Sequence, residues 1–264
     1  MNDSSNLRRS YGPWAVVTGA SDGIGKAFAQ ELAAAGFDLV LVARRRAELD
    51  ALALALSAEQ GVSCVVVDLD LAQADAPERL IAAANGLDVG LLVAAAGYGT
   101  SGYFADNAVA DESAMIAVNC RAVAELVHFY AGRFASRGRG GIIMLSSLLA
   151  FQGVPRSANY AATKAYIQTL AEGLRHELKS KGVDVLAVAP GPVDTGFAAR
   201  ARMTMSATVT PQTVAREALA ALGHRGTIRP GLLSKLLEGA LAPLPRVSRT
   251  GIMGQVMAGM TRRA

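Results

Sequence analysis

Hydrophobic and polar positions divide the chain into short apolar runs that alternate with longer amphipathic stretches. The apolar runs are predicted strands: Trp14–Thr18, Asp38–Ala43, Ser63–Val67, Val89–Ala95, Gly141–Ser146, Asp184–Ala189 and a weak seventh at Thr227–Arg229. The amphipathic stretches are predicted helices: Ile24–Ala35, Arg45–Glu59, Ala76–Ala84, Ser113–Ser136, Tyr160–Ser180 and one that Thr210-Pro211 opens. This alternation predicts a doubly wound α/β fold, with about seven parallel strands and helices on both faces.

Length and composition suit one large domain. The chain has 264 residues, of which 52% are hydrophobic, so it can bury a sizeable core. We therefore predict a single domain over residues 1–264, within which residues 196–264 form a substrate lid and C-terminal extension. The net charge of +4 is mild and spread along the chain, so it does not indicate a nucleic-acid partner. No spacing of His, Cys or acidic residues predicts a metal site.

The chain carries no sequence signal for export or membrane insertion. Its two cysteines, Cys64 and Cys120, provide no disulfide framework. The segment from Met1 to Tyr11 is polar and does not read as a signal peptide. No apolar run reaches the roughly 18 residues that a transmembrane helix needs. The sequence therefore predicts a cytoplasmic protein.

Three glycines stand between the first predicted strand and the first predicted helix. They are Gly19, Gly23 and Gly25 in the segment Thr18-Gly-Ala-Ser-Asp-Gly-Ile-Gly25. Glycine lets the backbone turn tightly and approach a pyrophosphate, and the helix N-terminus offers free N–H groups to that anion. A glycine pattern alone is weak evidence. Its position between a buried strand and a helix favours a dinucleotide site over an ordinary turn.

The end of the second strand indicates which nicotinamide dinucleotide binds. An acidic residue there would bind the ribose 2′-hydroxyl of NAD, but the chain has Arg44, Arg45 and Arg46. Guanidinium groups bind phosphate in a bidentate manner, so Arg44 is predicted to clamp the 2′-phosphate of NADP with help from Arg45. Arg46 is interpreted as a solvated helix start. NADP(H) is therefore favoured over NAD(H).

A serine, a tyrosine and a lysine form the candidate catalytic set. Tyr160-Ala-Ala-Thr-Lys164 places a phenol and an ammonium on one helix face. Tyrosine has an ordinary pKa of about 10, and a nearby ammonium lowers it toward the range of acid/base catalysis. Ser147 or its neighbour Ser146, at the end of the fifth strand, would hydrogen-bond the oxygen of a substrate carbonyl.

Together these motifs resemble the short-chain dehydrogenase/reductase family, over most of the chain from about Trp14 to Thr195. The resemblance implies a Rossmann-like fold and hydride transfer between NAD(P)(H) and a carbonyl or alcohol. It implies that Tyr160 is the acid/base, that Lys164 tunes it and binds the nicotinamide ribose, and that Asn119 supports a proton relay. Ser147 is preferred over Ser146 because its offset from the tyrosine matches the family.

The resemblance also assigns cofactor contacts along the carboxyl ends of the strands. Pro190-Gly-Pro-Val-Asp-Thr195 matches a family loop in which the backbone of Val193 and the hydroxyl of Thr195 hold the nicotinamide carboxamide. Asp68-Leu69 matches an adenine-contacting pair, with Asp70 as a competing acid. The remaining expected contacts are Ser21, Asp22, Ile24, Ala95, Ala96, Gly97, Pro190 and Gly191.

Two departures from the family pattern stand out. Family members selective for NADP often carry a basic residue in the glycine turn, where this chain has Asp22. Ala94-Ala95-Ala96-Gly97 stands where the family has Asn-Asn-Ala-Gly. The backbone can still line the cofactor, but the side-chain hydrogen bonds of two asparagines must be replaced or lost. We expect some loss of local rigidity there rather than loss of activity.

The substrate and the partners are less closely specified. The family's specificity regions here are mostly apolar, which suggests a lipophilic ketone or alcohol; their candidate residues are Tyr98, Tyr103, Phe104, Leu148, Phe151, Phe197, Met203 and Met205. The tail from Leu232 is predicted to cover the substrate cleft or to pack in a subunit interface, and contact with a membrane surface is the less favoured alternative. A homodimer or homotetramer is expected by resemblance. A non-catalytic NADP-binding sensor or subunit on the same scaffold is the rival function, which the intact Ser/Tyr/Lys set disfavours.

Overall fold

Seven parallel strands form one sheet at the centre of the molecule. The computed structural model describes residues 4–201, 203 and 208–261. The strands run in the order β3-β2-β1-β4-β5-β6-β7, and every neighbouring pair is parallel. Their bounds are β1 (Trp14–Thr18), β2 (Asp38–Ala43), β3 (Cys64–Asp68), β4 (Val89–Ala94), β5 (Gly140–Leu145), β6 (Val183–Val188) and β7 (Thr227–Ile228).

Helices cover both faces of the sheet. Their bounds are α1 (Ser4–Tyr11), α2 (Gly23–Ala34), α3 (Arg46–Gln60), α4 (Ala76–Ala83), α5 (Val109–Ile116), α6 (Ala122–Arg137), α7 (Ala158–Lys179), α8 (Phe197–Arg200), α9 (Pro211–Ala221), α10 (Leu232–Leu241) and α11 (Arg246–Met260). A π-helical turn (Ala117–Arg121) joins α5 to α6 without a break. Short 3-10 turns lie at Phe104–Asp106 and Leu148–Phe151.

The core has two layers, one on each face of the sheet. On one face, buried side chains of α2, α3 and α9 pack against the strands, with Phe28 and Leu49 among them. On the other face, α4, α6 and α7 contribute side chains such as Tyr130 and Ile167. Strands buried on both sides need the near-continuous Val, Leu and Ile runs that the sequence has. A third, smaller cluster joins α11 to the start of α7 through Met253, Met257 and Ala161.

The sheet reverses its strand order between β1 and β4. The chain runs outward from β1 through β2 to β3, and then returns to β4 on the other side of β1. In such sheets a crevice opens beyond the carboxyl ends of the strands at the point of reversal, and ligands bind there. The glycine turn follows β1 and the segment Ala94–Gly97 ends β4, so both meet at this crevice.

The structure confirms the predicted fold class and the seven strands, with most element bounds within one or two residues. The long helix predicted over Ser113–Ser136 differs most: it starts at Val109 and contains the π-helical turn. The helices α1, α10 and α11 were not predicted, because the first is polar and prolines interrupt the tail. Met205, one of the predicted substrate residues, lies outside the described residues.

Candidate active site

Two cavities meet beyond the carboxyl ends of the strands. The larger is a cleft of about 490 Å³ between the glycine turn and the ends of β2, β3 and β4. The smaller is an apolar pocket of about 180 Å³ beneath α11. Five residues line both cavities: Ile24, Ala95, Gly97, Thr195 and Phe197. A ligand in the cleft would therefore reach the apolar pocket, and we call the two cavities the cofactor cleft and the substrate pocket.

The glycine turn forms a close-fitting cradle at the start of α2. Gly19 and Gly23 have positive φ angles of 72° and 53°, which side chains rarely adopt. A Cβ atom on Gly25 would collide with the carbonyl of Gly19. The Oδ1 atom of Asp22 accepts a hydrogen bond of 2.7 Å from the backbone N–H of Gly23. The turn thus presents bare backbone at a helix N-terminus, a geometry that fits a pyrophosphate.

The side chains of the three consecutive arginines after β2 point in different directions. Arg44 lines the cofactor cleft, half exposed, with the carboxylate of Asp70 3.9 Å away. Arg45 is bound to the glycine turn, donating to Ser21 Oγ at 3.1 Å and lying 3.7 Å from Asp22. Arg46 points away from the cleft toward Asp50 and Asp68. Arg44 and Arg45 therefore both line the cleft after β2, where Arg200 is a further cation, and Asp22 is paired with Arg45.

Of the two acidic residues at or just after the end of β3, Asp70 lines the cofactor cleft and Asp68 does not. Leu69 and Asp70 line the cofactor cleft. Asp68 is exposed on the outer side, 3.4 Å from Arg46. The structure therefore brings Leu69 to the predicted adenine region, leaves Asp68 outside the lining, and puts Asp70, the competing acid, in it.

The hydroxyl of Thr18 supports the segment that lacks the family's asparagines. Its Oγ1 atom accepts hydrogen bonds from the backbone N–H groups of Ala95 at 3.1 Å and Ala96 at 3.0 Å. Ala95, Ala96 and Gly97 all line the cofactor cleft. A side chain from β1 thus holds this backbone in place.

Ser147, Tyr160 and Lys164 come together in the substrate pocket, where all three contribute to the lining. Ser147 lies two residues after β5, and its Oγ accepts a hydrogen bond of 3.1 Å from the N–H of Leu149. The hydroxyl of Ser146 instead donates to the backbone carbonyl of Lys164 at 3.1 Å. Ser146 therefore ties β5 to α7, and Ser147 remains as the serine beside the tyrosine.

Burial sets the protonation of the tyrosine and the lysine. It raises the pKa of Tyr160 to about 12, an effect that a hydrogen bond with Ser147 opposes. Burial lowers the pKa of Lys164 to about 8, because the ammonium loses its hydration. The Nζ atom of Lys164 donates a hydrogen bond of 2.7 Å to the carbonyl of Leu145. The free protein thus holds a neutral tyrosine beside a lysine whose pKa is lowered to about 8.

Asn119 sits in the π-helical turn, fully buried, with its amide directed at the active site. Its Oδ1 accepts from the N–H of Tyr98 at 3.2 Å, and its Nδ2 donates to the carbonyl of Tyr98 at 2.9 Å. Nδ2 also lies 3.0 Å from Thr163 Oγ1. Asn119 and Lys164 both lie against Gly97, where a Cβ atom would be 3.0 Å from Asn119 Oδ1 and 3.3 Å from Lys164 Nζ. The turn therefore places Asn119 next to the lysine.

A buried carboxylate that the sequence analysis missed supports the start of α7. Glu112 is 4% exposed. It accepts hydrogen bonds from Thr100 at 2.7 Å, Asn107 at 2.8 Å and Asn159 at 2.6 Å. Asn159 precedes Tyr160, and Thr100 lines the substrate pocket. Only the fold reveals this role, because a lone Glu in an amphipathic helix normally faces solvent.

The substrate pocket is apolar apart from the catalytic end. Met253, Met257 and Met260 of α11 form one wall, and Phe197 lies with its ring 5.3 Å from that of Tyr160. The backbone turn after β6 forms another wall; its predicted residues Pro190, Gly191, Val193 and Thr195 all contribute. Gly191 donates its N–H to Ser234 Oγ at 2.9 Å, which joins this turn to α10.

The predicted substrate residues do not all reach the pocket. Leu148, Phe197 and Met203 line it. Tyr98 instead lines the cofactor cleft, beneath the guanidinium of Arg200. Tyr103 and Phe104 are 63% and 60% exposed. Phe151 packs under Arg229, whose guanidinium carbon lies 4.2 Å from the ring centroid.

No helix within the described ranges is both long and apolar enough to cross a membrane. The same part of the chain groups no three His, Cys, Asp or Glu side chains in a way that would hold a metal ion.

Comparisons with known proteins agree with this geometry. The profile of the family described as short chain dehydrogenase matches residues 13–206. The chain is 36% identical over 234 residues to a 7beta-hydroxysteroid dehydrogenase of Clostridium sardiniense, covering 87% of this chain and 90% of that protein. It is 32% identical over 238 residues to a very-long-chain 3-oxoacyl-CoA reductase of Bos taurus, covering 89% and 76%.

A similar solved structure carries a cofactor. It is a short-chain dehydrogenase from Sphingobium yanoikuyae in complex with NADPH, which superposes with a TM-score of 0.80 at 31% sequence identity. The match covers 91% of this chain and 95% of that one.

Proposed function

The chain belongs to the short-chain dehydrogenase/reductase family of NAD(P)-dependent oxidoreductases, and from that premise we propose that it interconverts lipophilic ketones and secondary alcohols with NADP(H). One observation carries the proposal: Ser147, Tyr160 and Lys164 lie in an apolar pocket that opens into a cleft lined by a glycine turn and by arginines that include Arg44 and Arg45. A nucleotide in the cleft and a ketone in the pocket would meet at this junction.

The residues of the cleft fit a nicotinamide dinucleotide. The glycine turn would receive the pyrophosphate, Leu69 and Asp70 would border the adenine, and Thr195 and the backbone of Val193 would hold the carboxamide. When bound, the nicotinamide supplies or accepts the hydride. Phe197 and Ile24 line both cavities and would exclude water from the junction.

Proton transfer at the substrate oxygen is assigned to Tyr160. In the reductive direction the phenol donates its proton to the carbonyl oxygen as negative charge develops there, while Ser147 donates a hydrogen bond to the same oxygen. The ammonium of Lys164 stabilises the resulting tyrosinate, which offsets the burial that raises the pKa of Tyr160. Asn119, beside Lys164, would steady the route by which the tyrosinate regains its proton.

The preference for NADP(H) rests on the arginines after β2. Arg44 faces the cleft with only a distant carboxylate, so its guanidinium is available to a 2′-phosphate. Arg45 pairs with Asp22, so the negative charge of this acid in the glycine turn is compensated and would repel a 2′-phosphate less. The NADPH bound to the related Sphingobium enzyme supports the same preference.

A lipophilic substrate is proposed from the lining of the pocket and from the relatives. Lys164 is the one charged residue among the described residues that line it, and three methionines form a deformable apolar wall. The relatives named above act on a hydroxysteroid and on a long-chain oxoacyl thioester. Both substrates carry an alcohol or carbonyl group on a large apolar body. Such molecules fit the apolar pocket better than small polar ketones do.

Residues 196–264 are proposed to act as the lid of this pocket. The segment contributes Phe197, Met203, Met253 and Met257 to the lining. We also propose a homodimer or homotetramer built on the two helical segments that hold Asn119 and Tyr160, on which Val109, Ile116 and Tyr166 are exposed apolar side chains. Light scattering of the purified protein tests this assembly.

A ketone panel tests the proposed function. Cyclic and long-chain ketones are compared with small polar ketones of matched reactivity, with NADPH and NADH in parallel, by loss of nicotinamide absorbance. The proposal expects turnover of the lipophilic ketones with NADPH, with kcat/KM rising as apolar surface is added. Turnover of only the small polar ketones would overturn the substrate class, and equal use of NADH would overturn the cofactor preference.

A further inference from the structure

Arg156 has an unusual backbone conformation beside the substrate pocket. Among the residues that the structure describes, it is the one non-glycine residue with a positive φ angle, 64°. Such conformations are strained and persist where the surroundings impose them, often at functional sites. Here its carbonyl oxygen accepts a hydrogen bond of 3.0 Å from the N–H of Gly102. That contact ties the backbone of Arg156 to the loop after β4.

The guanidinium of Arg156 connects two segments at the edge of the pocket. Its Nη1 donates to Thr261 Oγ1 at 3.2 Å, at the end of α11. Its Nη2 donates to the hydroxyl of Tyr103 at 3.3 Å, and its guanidinium carbon lies 5.1 Å from the centroid of that ring. Both partners are neutral, and within the described ranges no carboxylate pairs with this cation. The guanidinium of Arg156 is thus available to form a charge-assisted hydrogen bond with an anion.

Two of these groups adjoin residues that line the substrate pocket. Ser157, which follows Arg156, and Met260, which precedes Thr261, both line the pocket. Tyr103 and its neighbour Phe104 are largely exposed, although aromatic rings are usually at least half buried. We call Arg156, Tyr103, Phe104 and Thr261 the Arg156 rim. It combines one cation with two exposed rings.

The pocket is too small to enclose the substrates that its lining favours. Its volume is about 180 Å³, whereas sites for drug-sized ligands hold about 300 to 1,000 Å³. A large lipophilic ketone would therefore project from it. Away from the catalytic end, most of the described residues that line it are apolar, and the hydroxyls of Thr100 and Ser157 already donate to Glu112 and to the carbonyl of Thr100. Burying an unpaired polar group there would be costly. A polar end of the substrate must lie outside, at the rim.

We propose that the Arg156 rim binds a carboxylate at the far end of the substrate, so that the enzyme selects lipophilic keto acids over neutral ketones. The guanidinium receives the carboxylate, and the rings of Tyr103 and Phe104 cover the adjoining chain. This inference rests on the proposed function, because it concerns the far end of the same substrate. It adds a second recognition point, which sets the distance between the keto group and the acid.

Matched acid and ester substrates test this proposal. Oxododecanoic acids with the keto group at successive positions are each assayed as the free acid and as the methyl ester, with saturating NADPH and constant ionic strength. A charge-assisted contact predicts kcat/KM about 10-fold to 100-fold higher for the acid than for its ester. The preference should be largest at one keto position, because the rim and Tyr160 are both fixed.

Substitution of Arg156 distinguishes recognition of the substrate carboxylate from structural support of residues 196–264, the proposed lid. Arg156→Gln keeps a side chain that can hydrogen-bond Tyr103 and Thr261 but removes the charge. We expect it to abolish the acid preference while leaving ester turnover near that of the wild type, and Arg156→Lys to retain part of the preference. Arg79→Gln, at an exposed arginine of α4 that lines neither cavity, should leave the ratio unchanged.

The outcomes are distinguishable. Equal turnover of acids and esters by the wild type would overturn the rim as an acid site while leaving the proposed function intact. A parallel loss of acid and ester turnover in Arg156→Gln would also overturn it, since that result would mean that the arginine only supports the lid. Failure of every ketone with NADPH would instead refute the proposed function, and this inference with it.

Discussion

The Nζ atom of Lys164 lies 5.7 Å from the centroid of the Tyr160 ring, and both side chains are buried. Burial acts on the two groups in opposite directions: it raises the pKa of the phenol and lowers the pKa of the ammonium. Each change favours the neutral form of its group in the free protein. When the phenol of Tyr160 gives its proton to the substrate carbonyl, the attraction between the resulting tyrosinate and the ammonium of Lys164 therefore stabilises the charged pair.

The buried lysine makes stability depend on pH. Between about pH 8, the lowered pKa of Lys164, and its ordinary pKa of 10.5, the unfolded chain keeps a proton that the native protein has released. The free energy of unfolding of the wild type should therefore rise over this interval relative to Lys164→Met. The full difference approaches about 3 kcal/mol, at about 1.4 kcal/mol per pH unit.

Urea unfolding of both proteins from about pH 7 to about pH 10 measures this difference. The range stops there because the raised pKa of Tyr160 acts in the opposite direction above its ordinary value of 10.0. Curves for wild type and Lys164→Met that stay parallel would show that the lysine is not titrating in the native state.

Arg44 should determine the choice between the two nicotinamide cofactors. Removing its guanidinium in Arg44→Ala should raise the KM for NADPH by about 10-fold to 100-fold, the value of a charged hydrogen bond to phosphate, and leave the KM for NADH little changed. Steady-state kinetics with each cofactor measures the effect. Arg46→Ala is the matched control, since Arg46 points away from the cleft toward Asp50 and Asp68. Equal effects of the two substitutions would contradict the assignment.

The carboxylate of Glu112 should be needed for the stability of the loop around the active site. Glu112→Leu leaves the half-buried donors of Thr100, Asn107 and Asn159 without their acceptor. We expect a loss of about 2 to 4 kcal/mol in the free energy of unfolding. Urea unfolding measures it, with Asp111→Leu at the exposed neighbouring position as control. A loss no larger than that of the control would mean that the network is not essential.

The features that sequence could predict depend on local pattern. Most of the strands were predictable because each is a largely apolar run, although the two-residue β7 gave only a weak signal. The glycine turn was predictable because its spacing and its place after β1 are both local. The catalytic set was predictable because Tyr160 and Lys164 share one helix face. The position of Arg44 at the cofactor cleft was also predictable from local pattern, because it follows directly from the place of this residue after β2.

Other features depend on contacts between distant segments. The helix α1 is polar, and its end is held by a hydrogen bond of 2.6 Å from the Tyr11 hydroxyl to Asp184, 173 positions away. The π-helical turn inserts into an otherwise regular pattern and leaves no periodic signal. Tyr103 and Phe104 are apolar enough to suggest a pocket lining, yet the loop turns them outward. The bond between Arg45 and Ser21 likewise exists only once β1 and β2 are paired.

One measurement tests the central claim most directly: oxidation of NADPH by a lipophilic ketone, in wild type and in Tyr160→Phe, with NADPH binding followed by fluorescence in both. The account predicts turnover in the wild type and a loss of at least about 100-fold in the variant, within the range that general acid–base catalysis contributes, with NADPH binding retained. A variant that binds NADPH and still reduces the ketone at the wild-type rate would contradict the account, since the proton would then come from another group.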